Sequence, residues 1–395
     1  MVDHHPDIER ELRRKGHERA EKERRESHDS HLHFSREPYS ATRANELRER
    51  HRRGPVSPEE SLELLVLGNM EHAAEVKEKG DSPLMRHQRI VNNQADYLEI
   101  KCSDARIPSN SNVGDKLVGL EVRIAGNVVP GRKTASAEEI REALGHVRKD
   151  GIVLVAGHGP KCGAVEAKVK WVEDEMPETG AKELDELLHE VVGTSPKENA
   201  IAQLSKLRQT MDVGGRSTGA VIYDFEHGGT SIVSETATPL MELYIDNFNR
   251  RHGEAMAREP EMRERLKVHR PHVIAIGTVD LPYNVSAIFN ARQNEVFSTT
   301  GSEKGLDNLD KASILYAIEH LEVRHIALIA PGLKGEQKSL DRMFNRWERE
   351  LREMDVHHVP LIAKMLDSGQ LKISRLRYDL EKGMVVEVPA LPAAA

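Results

Sequence analysis

The chain has 395 residues, long enough for two or three domains that each bury a core. Hydrophobic residues make up 38% and charged residues 31%, and 57 Lys and Arg against 65 Asp and Glu leave a net charge of -8. No folded segment is dominated by Lys and Arg and no run approaches the roughly 20 apolar residues of a membrane span, so neither nucleic acid nor a membrane is an expected partner.

Residues 1–56 are built from Arg, Glu, His and Lys and offer almost no apolar face. This composition predicts a charged, disordered arm, better read as a solvated, partly helical strip than as a histidine-rich metal-binding or docking tail. Its start, "MVDHHPDIERELRRKG", lacks the apolar stretch of a secretory signal, which makes the cytoplasm the expected location. Folded structure is expected from "SPEESLELLVLGNM", where Ser57 can cap a helix, Glu60 completes a capping box, and Leu62, Leu65 and Val66 begin an apolar stripe.

"ADYLEIKCSDARI" then reads as a strand running into a polar loop, and "LVGLEVRIAGNVV" as a second strand, followed by a helix around "SAEEIREALGHVRKD". "GIVLVAGHGPKCGAVEAKVKWVEDEM" is a buried strand, a Gly-rich turn and a helix; a helix through "KENAIAQLSKLRQ" and a strand in "GRSTGAVIYDFEHGG" close the unit. The alternation predicts an α/β fold with a mainly parallel central sheet flanked by helices. Ligands gather at the carboxyl ends of such strands, where Cys102 and His158 both fall.

From residue 233 the same plan returns. "MELYIDNFNRRHGEAM" echoes "LELLVLGNMEHAAEV", "SILYAIEHLEVRHIALIAPGLKGEQ" runs alongside "EEIREALGHVRKDGIVLVAGHGPKC", and "LRYDLEKGMVVEV" matches "VIYDFEHGGTSIV". Two homologous tandem domains are expected, 57–232 and 233–395.

The chain has only two cysteines, Cys102 and Cys162, too few for a disulfide framework, so they are inert core thiols or metal ligands. A lone Cys or His is more often a core residue. The strand-to-helix turn carrying both His158 and Cys162 favours ligands instead, and the helix start after it favours a thiolate. Two thiolates and one imidazole form a Cys2His set for Zn2+ with a fourth position open for water or substrate, as in catalytic zinc sites. Asp104 and Arg106 follow Cys102 in the same loop, either as an ordinary surface ion pair or as an ionised, oriented carboxylate beside the metal.

"CSDARI", "VRIAGN" and "GHGPKCGAV", in that order, resemble the β-class carbonic anhydrases, over a stretch from about residue 62 to about 230. The resemblance implies zinc on Cys102, His158 and Cys162, Asp104 and Arg106 as a dyad at the open site, and a central loop at Arg123, Ala125, Gly126 and Asn127, with Gly157 and Gly163 beside the metal turn. Two departures stand out: Ile124 replaces the usual Asn of the central loop, and three residues separate His158 from Cys162 where the family has two. In the second half Gly332 and Glu336 stand for His158 and Cys162 and "IGTVDLPYN" for "KCSDARIPSN", so no zinc site is expected there. The family's dimers imply an intramolecular pseudo-dimer with one live site, which could pair again as a homodimer. The implied activity is reversible hydration of CO2 to bicarbonate and a proton by zinc-bound hydroxide. The alternatives are a zinc-binding scaffold or regulatory protein with decayed catalysis, and a hydrolase of a CO2-like substrate such as CS2 or COS.

Overall fold

The computed structural model describes residues 41–86, 95–108, 119–131, 133–175, 179–234, 237–259, 261–332 and 336–389. Among the described residues, ten strands form two five-stranded sheets. The first contains β1 (Ala95–Lys101), β2 (Gly119–Arg123), β3 (Val147–Gly159), β4 (Ser217–Asp224) and β5 (Gly229–Ile232), in the order β2-β1-β3-β4-β5. The second contains β6 (Val273–Gly277), β7 (Val296–Thr300), β8 (His325–Gly332), β9 (Lys372–Asp379) and β10 (Met384–Glu387), in the order β7-β6-β8-β9-β10. In both, four parallel strands end in one antiparallel edge strand, so the two halves share one topology. The α/β fold with tandem domains expected from the sequence is observed. The central strands β3 and β8 are near-continuous apolar runs because helices cover both faces of a parallel sheet.

The leading helices of the two halves are exchanged. Helix Pro58–Glu78 begins with the expected capping box, Ser57 accepting from the Glu60 amide and Glu60 from the Ser57 amide. Such a cap contributes about 1 kcal/mol. The helix lies on the second sheet: Leu65 joins a core with Val273, Ile329 and Tyr378, and Asn69 donates to Ile288 O and accepts from the Val385 amide. A Cβ on Gly68 would sit 1.8 Å from Phe289 O, so only glycine allows that approach. Helix Pro239–Arg258 instead lies on the first sheet, where Met241, Tyr244 and Phe248 enter its core and Tyr244 Oη donates to Glu99 at 2.8 Å. Each half thus sends its first helix to the sheet of the other.

Two further expectations are corrected. Residues 1–40 of the expected arm lie outside the described residues, but Ala41–Arg53 is a helix whose Ala44 and Leu47 are buried with Leu64 and Leu67. The apolar residues of this helix are few but spaced to face one way. The helix after the second strand stops at His146, and Val147 already pairs with Ala95 in β3. Arg216 donates to the carbonyls of Leu144 and Val147 at the helix end.

Buried histidines knit the exchanged helices in. Ser61 Oγ lies 2.9 Å from His272 Nδ1 and 2.8 Å from His325 Nδ1. Burial pushes His51 and His252 down to about 4 and His325 to about 3. Unfolded, these imidazoles take up a proton near pH ~6.5, whereas folded they stay neutral until about 4 or below, so the unfolded state binds more protons between those values. Stability should fall as the pH drops through that window, by up to about 1.4 kcal/mol per pH unit for each histidine. Urea unfolding at pH 7, 6 and 5 checks this, and a midpoint that stays constant would contradict it.

Candidate metal centre

Cys102 follows the last residue of β1, and His158 is the penultimate residue of β3, opposite Tyr223 of β4. Because β1 and β3 are adjacent and parallel, both side chains emerge at the same sheet end. Cys162 is the N-cap residue of helix Gly163–Glu173. The three potential ligand atoms lie within 4.8 Å of one another, and all three residues are buried. The longer His158–Cys162 turn, with a cis Gly159–Pro160 bond, thus still brings the donors together. Both ring nitrogens of His158 are buried without a hydrogen bond. An unsatisfied buried nitrogen is costly, and a metal ion is a partner that would satisfy it. Two sulfurs and an imidazole at this spacing fit zinc.

The central loop completes the surroundings. Gly126, at φ 68°, donates its amide to Cys102 Sγ at 3.2 Å. Arg123 braces the Cys102 loop by donating to Cys102 O at 3.3 Å and Ile107 O at 3.5 Å. Within the cysteine pair, hydrogen bonding from the Cys162 thiol outweighs burial and holds Cys102 well below the ordinary thiol range. The same contact, with burial, pushes Cys162 up.

Asp104 and Arg106 form a buried pair, not a surface one. Arg106 Nε donates to Asp104 Oδ1 at 3.0 Å, Nη2 to Oδ2 at 2.7 Å, and the Arg106 amide to Oδ1 at 2.9 Å. The guanidinium also stacks 4.4 Å above Phe225. Burial opposes ionisation of Asp104, yet His269, His158 and Arg106 outweigh it and hold its carboxyl well below the usual carboxylate range. Burial pushes His269 itself down to about 4, so Arg106 carries the positive charge at neutral pH. Asp104 Oδ2 lies 3.5 Å from His158 Nε2, beside the potential ligands.

The second half supplies a wall and a grip that the sequence did not reveal. His269, Phe297 and Tyr316 line a narrow cavity floored by Cys102 and Asp104. A Cβ on Gly163 would meet Tyr316 Oη at 2.1 Å. Asn294 donates its amide to Ala105 O at 2.7 Å, Gln293 Nε2 donates to Arg106 O at 2.8 Å, and the Ala105 amide donates to His269 Nε2 at 3.2 Å. No motif flags these residues, because all three contacts are to main-chain atoms of Ala105 and Arg106.

The equivalent place in the second half lacks the donor set. Ile276 pairs with Leu328 as Ile100 pairs with Val155, which puts Thr278 at the position of Cys102 and Asp280 at that of Asp104. His158 faces Tyr223, and Pro331 faces Tyr378, so Pro331, one residue before the expected Gly332, replaces the histidine. Asp280 has Pro282 where Asp104 has Arg106, and burial pushes it up to about 6. Among the described residues, Cys102, His158 and Cys162 are the one group of three or more His, Cys, Asp or Glu placed to hold a metal.

A family model described as "Carbonic anhydrase" matches residues 97–214. The resemblance read from "CSDARI", "VRIAGN" and "GHGPKCGAV" is borne out over this segment. A carbonic anhydrase of Emericella nidulans is 37% identical over 90 residues, covering 22% of this chain and 39% of that protein. The match thus spans about two fifths of the relative's length. Among solved structures, a tetrameric β-carbonic anhydrase of Sordaria macrospora shows 16% identity over 38% of this chain and 98% of its own, with a TM-score of 0.30. A β-carbonic anhydrase of Aspergillus fumigatus shows 16% identity over 39% of this chain and 92% of its own, with a TM-score of 0.29.

Elemental analysis of the purified chain should find about one zinc per chain, the number a single three-donor set can hold. Cys102→Ser should lower the zinc content to near zero. Two zincs per chain, or full zinc in Cys102→Ser, would contradict this assignment.

Proposed function

We propose that the chain catalyses the reversible hydration of CO2 to bicarbonate and a proton, with zinc held by Cys102, His158 and Cys162. The observation that carries this reading is the buried Asp104–Arg106 pair placed directly against the Cys, His, Cys donor set. Zinc bound there lowers the pKa of water toward 7 and so supplies a nucleophile at neutral pH. The rest is the work of the chain's own side chains.

Asp104 Oδ1 accepts from the Arg106 amide and Nε, whereas Oδ2, on the His158 side, accepts from Nη2 alone and keeps a lone pair to accept a hydrogen from the nucleophile and orient it. Arg106 keeps that carboxylate charged and turned toward itself. Phe297, Leu187 and Ala125 give the narrow cavity apolar walls suited to a small uncharged substrate. Exclusion of water there strengthens each polar contact made inside. The two halves act as an intramolecular pseudo-dimer, one carrying the donors and the other closing the pocket.

Stopped-flow CO2 hydration by the zinc-loaded chain tests the proposal. The parent should be active and Cys162→Ser inactive, while Asp104→Ala should retain zinc and lose at least about 100-fold in rate, the usual scale for removing a group that handles the reacting proton. An unaffected Asp104→Ala rate would remove Asp104 from the mechanism. Zinc bound in the parent without hydration would favour a zinc-stabilised scaffold instead.

A further inference from the structure

Phe225 lies one residue past the end of β4, and its amide donates to Gly159 O at 3.1 Å. This bond extends the pairing of His158 with Tyr223 and of Gly159 with Asp224, so the strand ladder fixes where the side chain enters the metal centre. Phe225 is 7% exposed and packs in the same core as Cys102 and Cys162. Its ring centre lies 4.8 Å from that of His158, with the planes tilted by 35°, and 4.4 Å from Cζ of Arg106. Tyr223 abuts the ring at 5.5 Å and 73°, and is itself held by His252 at 2.6 Å and Gln293 at 3.1 Å.

A histidine that binds a metal through one ring nitrogen is usually oriented by a hydrogen bond from the other. Among the described residues, neither ring nitrogen of His158 makes one. Asp104 Oδ2 stands 3.5 Å from Nε2, beyond a normal hydrogen bond, and is held by Arg106 Nη2 at 2.7 Å. A metal would occupy one of the two nitrogens and leave the other without a partner. The orientation of this buried imidazole therefore depends on what packs against its faces, and Phe225 is the ring that does so.

The same ring steadies the cation on the other side of Asp104. Arg106 grips both carboxylate oxygens, but that grip alone lets the two side chains move together. A guanidinium over an aromatic face is attracted by the ring quadrupole, and more strongly where water is excluded. Phe225 thus touches both groups that flank the Asp104 carboxylate, the imidazole at 3.5 Å from Oδ2 and the guanidinium at 2.7 Å. An aliphatic side chain could fill the space but offers neither a flat face nor a quadrupole.

We propose that Phe225 is a positioning residue of the metal centre, whose ring sets His158 and Arg106, and through them Asp104, in fixed places relative to one another. For His158 the ring takes the part that a hydrogen bond to the second nitrogen takes in other histidine–metal sites. For Arg106 it keeps the guanidinium, and the carboxylate bound to it, from swinging away. The claim about the metal ligand stands on the donor set alone, whereas the effect on turnover rests on the carbonic anhydrase reading.

Phe225→Leu, which removes the ring and keeps an apolar side chain, and Phe225→Tyr, which keeps the ring, are compared with the parent in the full chain. Competition with a chelator reads metal affinity, the visible bands of cobalt bound in place of zinc read coordination geometry, and stopped-flow hydration reads kcat and KM. Phe225→Leu should bind the metal about tenfold or more weakly, the scale on which groups that orient a ligand act, with displaced cobalt bands. Its kcat should fall at least about tenfold with KM within about twofold, because alignment is lost and substrate binding is not. Phe225→Tyr should recover most of each loss. If Phe225→Leu does not fold, Phe225→Met, which refills the space without a ring, takes its place. Parent-like metal affinity and cobalt bands in the ringless variant would overturn the role toward His158, and an unchanged kcat would overturn the role toward Arg106 and Asp104. A Phe225→Tyr as impaired as the ringless variant would overturn both, since the fit of the side chain and not its ring would then matter. A parent that binds metal but hydrates no CO2, with the metal affinity still weakened in Phe225→Leu, would instead defeat the proposed function and leave the role toward His158 standing.

Discussion

The arrangement depends on the grip that the second half keeps on two residues of the first. Ala105 and Arg106 follow Asp104 directly, and their main chain is tied to Asn294, Gln293 and His269 by three hydrogen bonds. Arg123 ties the two ends of the same loop from within the first sheet. A loop restrained at this many points presents Asp104 in one orientation, which is what a site needs in order to act on a small molecule without reorganising. The exchange of the helices Pro58–Glu78 and Pro239–Arg258 serves the same end, because neither sheet has a complete core without the other half's helix.

The two halves form a natural comparison of one aspartate in two settings. Asp104 and Asp280 stand at equivalent places after equivalent strands, and both are largely buried. With Arg106 beside it, Asp104 is held well below the usual carboxylate range; with Pro282 in that place and Glu142 and Glu303 nearby, Asp280 rises to about 6. Burial disfavours the charged form in both, so the neighbours decide the outcome: His269, His158 and Arg106 at Asp104, and Glu142 and Glu303 at Asp280. Loss of one arginine, two sulfurs and an imidazole leaves the second half as wall and brace.

Much of this was legible in the sequence because the chemistry is local. Cys102, Asp104 and Arg106 occupy one loop, His158 and Cys162 one turn, and strand-helix alternation fixes that both turns lie at the same sheet end. The capping box at Ser57 and Glu60 is equally local. What was not legible is what crosses between the halves. An apolar stripe such as Leu62, Leu65 and Val66 states that a helix must be covered, not by which sheet, so the exchange could not be read. His269, Gln293 and Asn294 meet main-chain atoms, a role many residue types perform, and so leave no motif. The repeat alignment slipped by one residue at Pro331 because Gly and Pro turns carry little positional information once the ligands are lost. The helix Ala41–Arg53 was hidden by its composition, in which Ala44 and Leu47 are outnumbered by charged residues on its other faces.

The central claim is that the second half holds the Cys102–Ile107 loop, and hydrogen exchange reads this without reference to catalysis. Exchange followed by mass spectrometry on a peptide spanning 102–107 compares the parent with a His269→Ala, Gln293→Ala double variant. The account predicts slow exchange of the Ala105 and Arg106 amides in the parent and a marked acceleration in the variant, with the peptide 152–159 of the central strand unchanged. Equal exchange of the 102–107 peptide in both proteins would contradict it.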